Sequence, residues 1–320
     1  MPLSISPASR RFIHTAVTLL LWASGPAAAF AQTSAPANPL WHEQKVKNYL
    51  PHMTWPEVRD LLTRSDMAII PVASLEEHGH QGPIGTDFLN GLERAKLIAQ
   101  KTDVLVAPIL FPGNSPYHMA FPGTITLPAE TIQLVYFQAV QSLIRHGFKR
   151  FLLLNSHGGN QAITQYVVDR INQETAGIAV ELGDAASPFA SRSTRSEPRE
   201  FDRHAGVGET SSSLYLTPNL VDMRDARTAP LTLPPHLQKM LPEVAAGDAT
   251  ASRVFLAEAL KAAETGKGTS TKDMTDTGVW SARDVKAATA DRGREDTERF
   301  VNAAVAFIER WKQLRPLGAK

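Results

Sequence analysis

Short apolar runs alternate with segments of helical period along the body of the chain. Residues 67–72 (MAIIPV) are apolar throughout, as expected of a strand buried on both faces, and 104–107 (VLVA) and 178–182 (IAVEL) repeat the pattern. Residues 150–155 (RFLLLN) carry the clearest strand signal. Helical stripes fall between these runs. One covers 91–100. A second, 131–144, places Leu134, Val135, Ala139, Val140 and Leu143 together. A third, 161–173, does so with Ile163, Tyr166, Val167 and Ile171. Pro128 and Glu130 mark the start of the second stripe, and His146-Gly147 its end. A last stripe runs from about 295 to 311 through Phe300, Ala304, Phe307, Ile308 and Trp311. Strands and helices in alternation predict an α/β fold with a largely parallel sheet covered on both faces. The polar stretch 184–203 reads as loop, the proline-rich 226–243 as a surface-running segment, and 264–278 as an exposed loop. No internal repeat interrupts this order, so a single domain over 46–315 is the simplest organisation.

The first 31 residues follow a different logic. Arg10 and Arg11 precede a mostly apolar stretch at 12–22, and Ala29-Phe30-Ala31 supplies a small-x-small cleavage pattern. We expect a secretory signal at 1–31, cleaved after Ala31, by the Sec or the twin-arginine route, and a flexible lead-in at 32–45. His14 and Gly25-Pro26 leave the apolar stretch too short and broken for a permanent span. The expected product is an exported, periplasmic or secreted chain without stable membrane insertion.

Charge and cysteine content narrow the chemistry. Lys+Arg is 33 and Asp+Glu 32, a net charge of +1, which argues against a nucleic-acid partner held by bulk positive charge. Cysteine is absent, which removes disulfides, zinc-thiolate sites, iron–sulfur clusters and cysteine nucleophiles together. Any metal must be held by His, Asp and Glu.

Three clusters offer such groups. After the strand at 67–72 comes SLEEHGHQGPIGTD, with Glu76 and His78 two residues apart and Asp87 beyond a glycine-rich turn. Alternate residues of an extended segment share a side, and ligands in open α/β sheets bind beyond the carboxyl ends of strands. After the strand at 150–155 comes NSHGGN, with His157 between Asn155 and Asn160. The third cluster is DRHAGVGETS, with His204 exposed before two glycines and Glu209 near a helix start, where the helix dipole favours a carboxylate even without a metal. Mixed imidazole and carboxylate ligands suit Zn, Mn or Fe(II) better than Ca or Mg. Two ions with one carboxylate bridging would fit the donor count.

On PVASLEEHGHQGPIGTD (71–87), FPGTITL (121–127), HGFKRFLLLNSHGGN (146–160) and DRHAGVGETS (202–211), the chain resembles the creatininase (creatinine amidohydrolase) family over roughly residues 55–311. The resemblance implies a three-layer α/β/α sandwich, two divalent ions per subunit and a homo-oligomer, commonly a hexamer. It implies Glu76 and His157 on one metal, His78 on the other, Asp87 bridging, Glu209 as the last ligand and His204 as general acid/base. The implied reaction is hydrolysis of a small-molecule amide, lactam or formamide C–N bond by a hydroxide held between the ions, with small-peptide cleavage known in another branch. Two departures stand out. Creatininases place a ligand Glu two residues after the second-motif His, where this chain has Gly159, and sandwich creatinine between tryptophans that 161–203 lacks. Both point away from creatinine as substrate. His80 and His118 are further candidates for the pocket, and Asn155 and Asn160 for its support. A binding protein that keeps the fold without catalysis is the rival of another class; a metal-dependent esterase or phosphoesterase is a third, against which stands the absence of a P-loop pattern.

Overall fold

The computed structural model describes residues 38, 43–110, 113–193, 200–260, 262–264, 267–268 and 271–319. The chain divides into residues 1–44 and residues 45–320, and every named element of secondary structure belongs to the second unit. The expected signal at 1–31 and most of the lead-in lie outside the described residues.

Four strands, β1 (Met67–Val72), β2 (Leu105–Val106), β3 (Arg150–Asn155) and β4 (Ile178–Glu181), form a parallel sheet in the order β2-β1-β3-β4. Central β1 is buried along its whole length, which explains its unbroken apolar run. Its side chains alternate between two cores. Ala68, Ile70 and Val72 join α3 (Ala129–His146) and α4 (Gln161–Glu174) through Ile132, Tyr136, Val140, Ile163 and Val167. Met67 and Ile69 join α2 (Thr86–Lys101) and the C-terminal helix through Ala95, Ile98, Ala304 and Ile308. These two apolar layers make the α/β/α sandwich. Helix α1 (Trp55–Leu61) sends Leu61 into the first core, and α5 (Leu182–Ala186) sends Leu182 and Ala186 into the second. Buried Arg150 at the start of β3 bonds Asp66 Oδ1 at 2.7 Å and the carbonyl of Arg315 at 2.9 Å, tying the sheet to the chain end.

A smaller layer covers the carboxyl ends of the strands. Strand β5 (Asp202–His204) leads into α6 (Val207–Leu216). Helices α7 (Pro235–Ala246) and α8 (Ala249–Ala259) follow, then β6 (Ala262–Glu264), β7 (Lys267–Gly268) and α9 (Thr271–Met274). Strand β8 (Trp280–Ser281) pairs antiparallel with β5, and α10 (Ala290–Leu314) closes the chain. Phe201, Phe255 and Trp280 pack as an aromatic trio with centroids 5.2–5.7 Å apart.

Several expectations need correction. The proline-rich segment runs over the surface largely exposed, but from Pro235 on it is helical as α7, because Pro235 sits in the first turn, where no backbone donor is required. The expected loop at 264–278 carries α9, whose Thr271 and Met274 are buried. The polar 184–203 stretch includes most of α5 and the start of β5. The last helix begins at Ala290 rather than near 295, because the Thr289 side chain caps it by accepting from Arg292 N. Among the described residues, no helix is long and apolar enough to cross a membrane.

Candidate metal centre

Candidate ligands leave strand ends or the first turns of helices. Glu76 and His78 follow β1, His157 follows β3, His204 ends β5, and Asp87 and Glu209 lie in the first turns of α2 and α6. The parallel sheet gathers Glu76, His78 and His157 over its carboxyl edge, and the antiparallel β5–β8 pair brings in His204. All are buried except Glu209, whose side chain is 39% exposed. His204, expected to be exposed, is only 7% so, because it pairs with Trp280 of β8 and packs against the rings of His118 and His78.

The donors form overlapping groups. Glu76, Asp87 and His157 make one, with His157 Nδ1 3.2 Å from Glu76 Oε1 and 3.0 Å from Asp87 Oδ2. His78, His204 and Glu209 make another, with His78 Nε2 3.7 Å from Glu209 Oε2. Asp87 joins the two, since its Oδ1 lies 3.4 Å from His78 Nε2. A third group, Glu76, His118 and His204, lies beside them. His118 thus belongs at the cavity, whereas His80 is exposed and does not line it.

Hydrogen bonds on the outer ring nitrogens orient all four imidazoles. His78 Nδ1 is 3.1 Å from the Glu76 carbonyl, and His157 Nε2 is 3.0 Å from the Asn114 carbonyl. His204 Nε2 is 2.8 Å from the Glu77 carbonyl, and His118 Nδ1 is 3.1 Å from Glu77 Oε1. Carbonyls and carboxylates only accept, so each outer nitrogen carries the proton. The inner nitrogens are left to face Glu76, Asp87 and Glu209, the arrangement of metal-binding histidines. Two enclosed atoms, His78 Nε2 and Asp87 Oδ2, have no hydrogen-bond partner. Divalent cations held by these two groups would satisfy one atom each, so the residues fit the implied metals.

The field of the site has the same sense. Burial opposes protonation of His78, yet Asp87 beside it lifts its pKa to about 10. Burial also opposes the charge on His157, but Glu76 and Asp87 raise it well above the usual imidazole range. Carboxylates this close call for positive charge between them. Cation binding must displace those protons and so weakens as pH falls.

Support comes partly from where it was expected. Asn155 Oδ1 accepts from His157 N at 3.1 Å; Asn160 Oδ1 accepts from Asn114 N at 3.0 Å, and its Nδ2 donates to the Ala73 carbonyl at 3.0 Å. Glu77 was not singled out, although it stands beside Glu76. Its Oε1 lies 3.1 Å from both His118 Nδ1 and His204 Nε2, and Oε2 accepts from Gly79 N at 2.9 Å. Burial favours its neutral form, but the bonds from His118 and His204 outweigh that and hold it down to about 2. Gly278, at φ +78°, leaves it room: a Cβ there would strike Glu77 Oε2. Glu77→Ala is expected to lower turnover about 10- to 100-fold, with KM little changed and metal content retained, and Glu77→Gln to restore most of it. Steady-state kinetics alongside metal analysis checks this; equal losses in both variants would contradict the positioning role.

Gly159 has a steric explanation. A Cβ there would meet the Asn114 carbonyl and the Tyr117 hydroxyl, and would come within 2.5 Å of His157 Nε2. The carboxylate that creatininases carry at this position has no space here, and Glu209 enters from α6 instead. The remaining cavity, about 230 Å³, is lined by Glu76, Asp87, His157, His204 and Glu209 together with Tyr117, Arg203, Leu256, Leu260 and Trp280. Of these last five, only Arg203 lies within a quoted motif. Trp280 comes from β8, far from the segment where a tryptophan wall was sought.

Comparison with known proteins agrees with this architecture. The creatininase family model, described as creatinine amidohydrolase, matches residues 51–308. A 3-dehydro-scyllo-inosose hydrolase of Thermotoga maritima is 28% identical over 179 residues, 54% of this chain and 57% of that protein. That match spans little more than half of the relative's length. The creatinine amidohydrolase of Pseudomonas putida is 28% identical over 210 residues, 59% of this chain and 79% of its own. Among solved structures, a creatininase variant of the Zn-Zn type superposes with a TM-score of 0.61 at 22% identity, covering 86% of this chain and 100% of that one, a likeness of fold. With the family model matched over most of its length, the chain belongs to the creatininase family.

Proposed function

We propose that this protein is an exported, dinuclear metal-dependent amidohydrolase that cleaves a C–N bond of a small amide, cyclic amide or formamide. The observation that carries the reading is the set of four imidazoles with outer nitrogens occupied and inner nitrogens turned onto shared carboxylates. Glu76, His157 and Asp87 would hold one cation; His78, Glu209 and the second oxygen of Asp87 the other. Bound there, two divalent ions such as Zn, Mn or Fe(II) would activate a water near neutral pH and polarise the scissile carbonyl.

The chain's own groups do the rest. His204 faces the cluster through Nδ1, 3.5 Å from Glu76 Oε1, and is backed at Nε2 by Glu77. It is the group that passes a proton to the leaving nitrogen, and Glu77 holds its ring in place through Nε2. Leu256, Leu260 and Trp280 give the cavity part of an apolar lining, and Tyr117 lines it as well. The crowded Gly159, which leaves no room for the carboxylate that creatininases carry there, supports a substrate other than creatinine.

The test is hydrolysis of a panel of lactams, formamides and simple amides by protein stripped of metal and reloaded with Zn, Mn or Fe(II). Metal-dependent release of amine and acid is expected. Protein that holds two ions per chain yet cleaves none of the panel would favour a ligand-binding role instead. Export, supported by the pattern at 1–31, is read by determining the N-terminus of the mature chain from fractionated cells. Homo-oligomer formation, expected from the resemblance, is read by light scattering.

A further inference from the structure

The ladder between β5 and β8 changes register beside the metal cavity. Asp202 pairs with Ser281, whereas His204 pairs with Trp280. Two steps along β5 thus oppose one step along β8, and Arg203 is the extra residue of a β-bulge. In a regular strand, neighbouring side chains face opposite sides, whereas a bulge re-aims one of them. Arg203 and His204 both line the cavity that holds Glu76, Asp87, His157 and Glu209. His204 is buried and bonded to Glu77, whereas Arg203 is exposed, and no hydrogen bond or ion pair engages its guanidinium among the described residues.

Charge balance gives this unpaired cation a meaning. The carboxylates that converge on the site, Glu76, Glu77, Asp87 and Glu209, would be neutralised by two divalent ions. Arg203 then stands at the loaded cavity as a cation that no carboxylate of the described residues engages. A guanidinium presents a planar fork that matches a carboxylate through two parallel N–H bonds. The apolar lining of Leu256, Leu260 and Trp280 suits a carbon skeleton, and about 230 Å³ leaves no room for a long spacer. We propose that Arg203 anchors a carboxylate of the substrate, which is therefore a small amide or lactam bearing an acid group close to the scissile C–N bond. This rests on the hydrolase reading above and names its substrate class.

The test uses binding rather than turnover. Zinc-loaded full-length protein is titrated calorimetrically with three hydroxamates, which chelate hard divalent cations through their own oxygens. One carries a terminal carboxylate (succinic acid monohydroxamate), the second the corresponding neutral carboxamide, and the third a phosphonate. The carboxylate probe is expected to bind at least about tenfold tighter than the carboxamide, the size of a hydrogen bond to a charged group. Arg203→Gln is expected to bring that ratio to about one while metal content and affinity for the neutral probe stay unchanged. Arg203→Lys, which keeps charge but loses the fork, is expected to fall between. Equal binding of the two probes by the unaltered protein, or a preference that survives Arg203→Gln, overturns the proposal and leaves Arg203 a solvated surface group. Tightest binding of the phosphonate overturns the carboxylate assignment. A neutral hydroxamate that fails to bind the zinc-loaded protein instead contradicts the metal-centre reading, and this inference falls with it.

Discussion

Asp87→Ala is expected to reduce bound metal from two ions per chain to none after gel filtration, and to abolish metal-dependent hydrolysis. Its two oxygens lie 3.4 Å from His78 Nε2 and 3.0 Å from His157 Nδ1, so it alone reaches histidines of both proposed sites. Removing it leaves each cation short of a ligand and lets the remaining Glu76 and Glu209 spread apart. The metal-free fold is weakened as well. Asp87 is buried against His78 and His157, and its charge raises the pKa of both rings. Removing one partner of a buried charge pair leaves the other uncompensated and costs stability. Metal-free Asp87→Ala should therefore melt below the metal-free parent, and the metal-dependent rise in melting temperature disappears. Elemental analysis that still finds two ions per chain in this variant would remove Asp87 from the bridging position.

His204→Ala is expected to keep both metals and lose about 10²- to 10⁴-fold in turnover, the range for a lost general acid or base. The geometry makes metal content the deciding measurement, because His204 stands in two of the donor groups. Its Nδ1 lies 3.5 Å from Glu76 Oε1 and 4.0 Å from Glu209 Oε2, farther than His157 stands from its carboxylates. Its ring stacks on His118 at 4.1 Å and lies 4.6 Å from His78. If the variant loses an ion, His204 is a ligand and the proton must travel by another group, with His118 next in line. If it keeps both ions and turns over normally, neither role holds. Faster cleavage of amides whose leaving amine needs no protonation would identify the lost step as proton delivery.

The strand and helix pattern was legible because burial in a parallel sheet imposes itself on every residue of a strand. The reading of 150–155 as a strand coincides with β3, and 161–173 falls one residue short of α4. The α7 and α9 segments were not legible. Their composition is polar or proline-rich, and each buries only one or two side chains, so periodicity has little to register. Among site residues, Glu76, His78, Asp87, His157, His204 and Glu209 announced themselves by clustering in three short glycine-containing segments, two of them directly after the predicted strands at 67–72 and 150–155. Glu77 was hidden by its neighbour, since nothing in a Glu-Glu pair says which one faces a metal and which one holds two histidines. Arg203 was hidden by strand alternation, which a bulge overrides.

The order of residues alone determined the layered fold, the family and the kind of donor the site offers, because those follow from local burial pattern and from residue types that no cysteine competes with. Only the folded chain decided which nitrogen of each histidine turns inward, that Gly159 excludes a carboxylate, and that Trp280 and Arg203 join a cavity that begins at Glu76. Those facts depend on close approaches between distant segments, where a few tenths of an ångström separate a hydrogen bond from a collision.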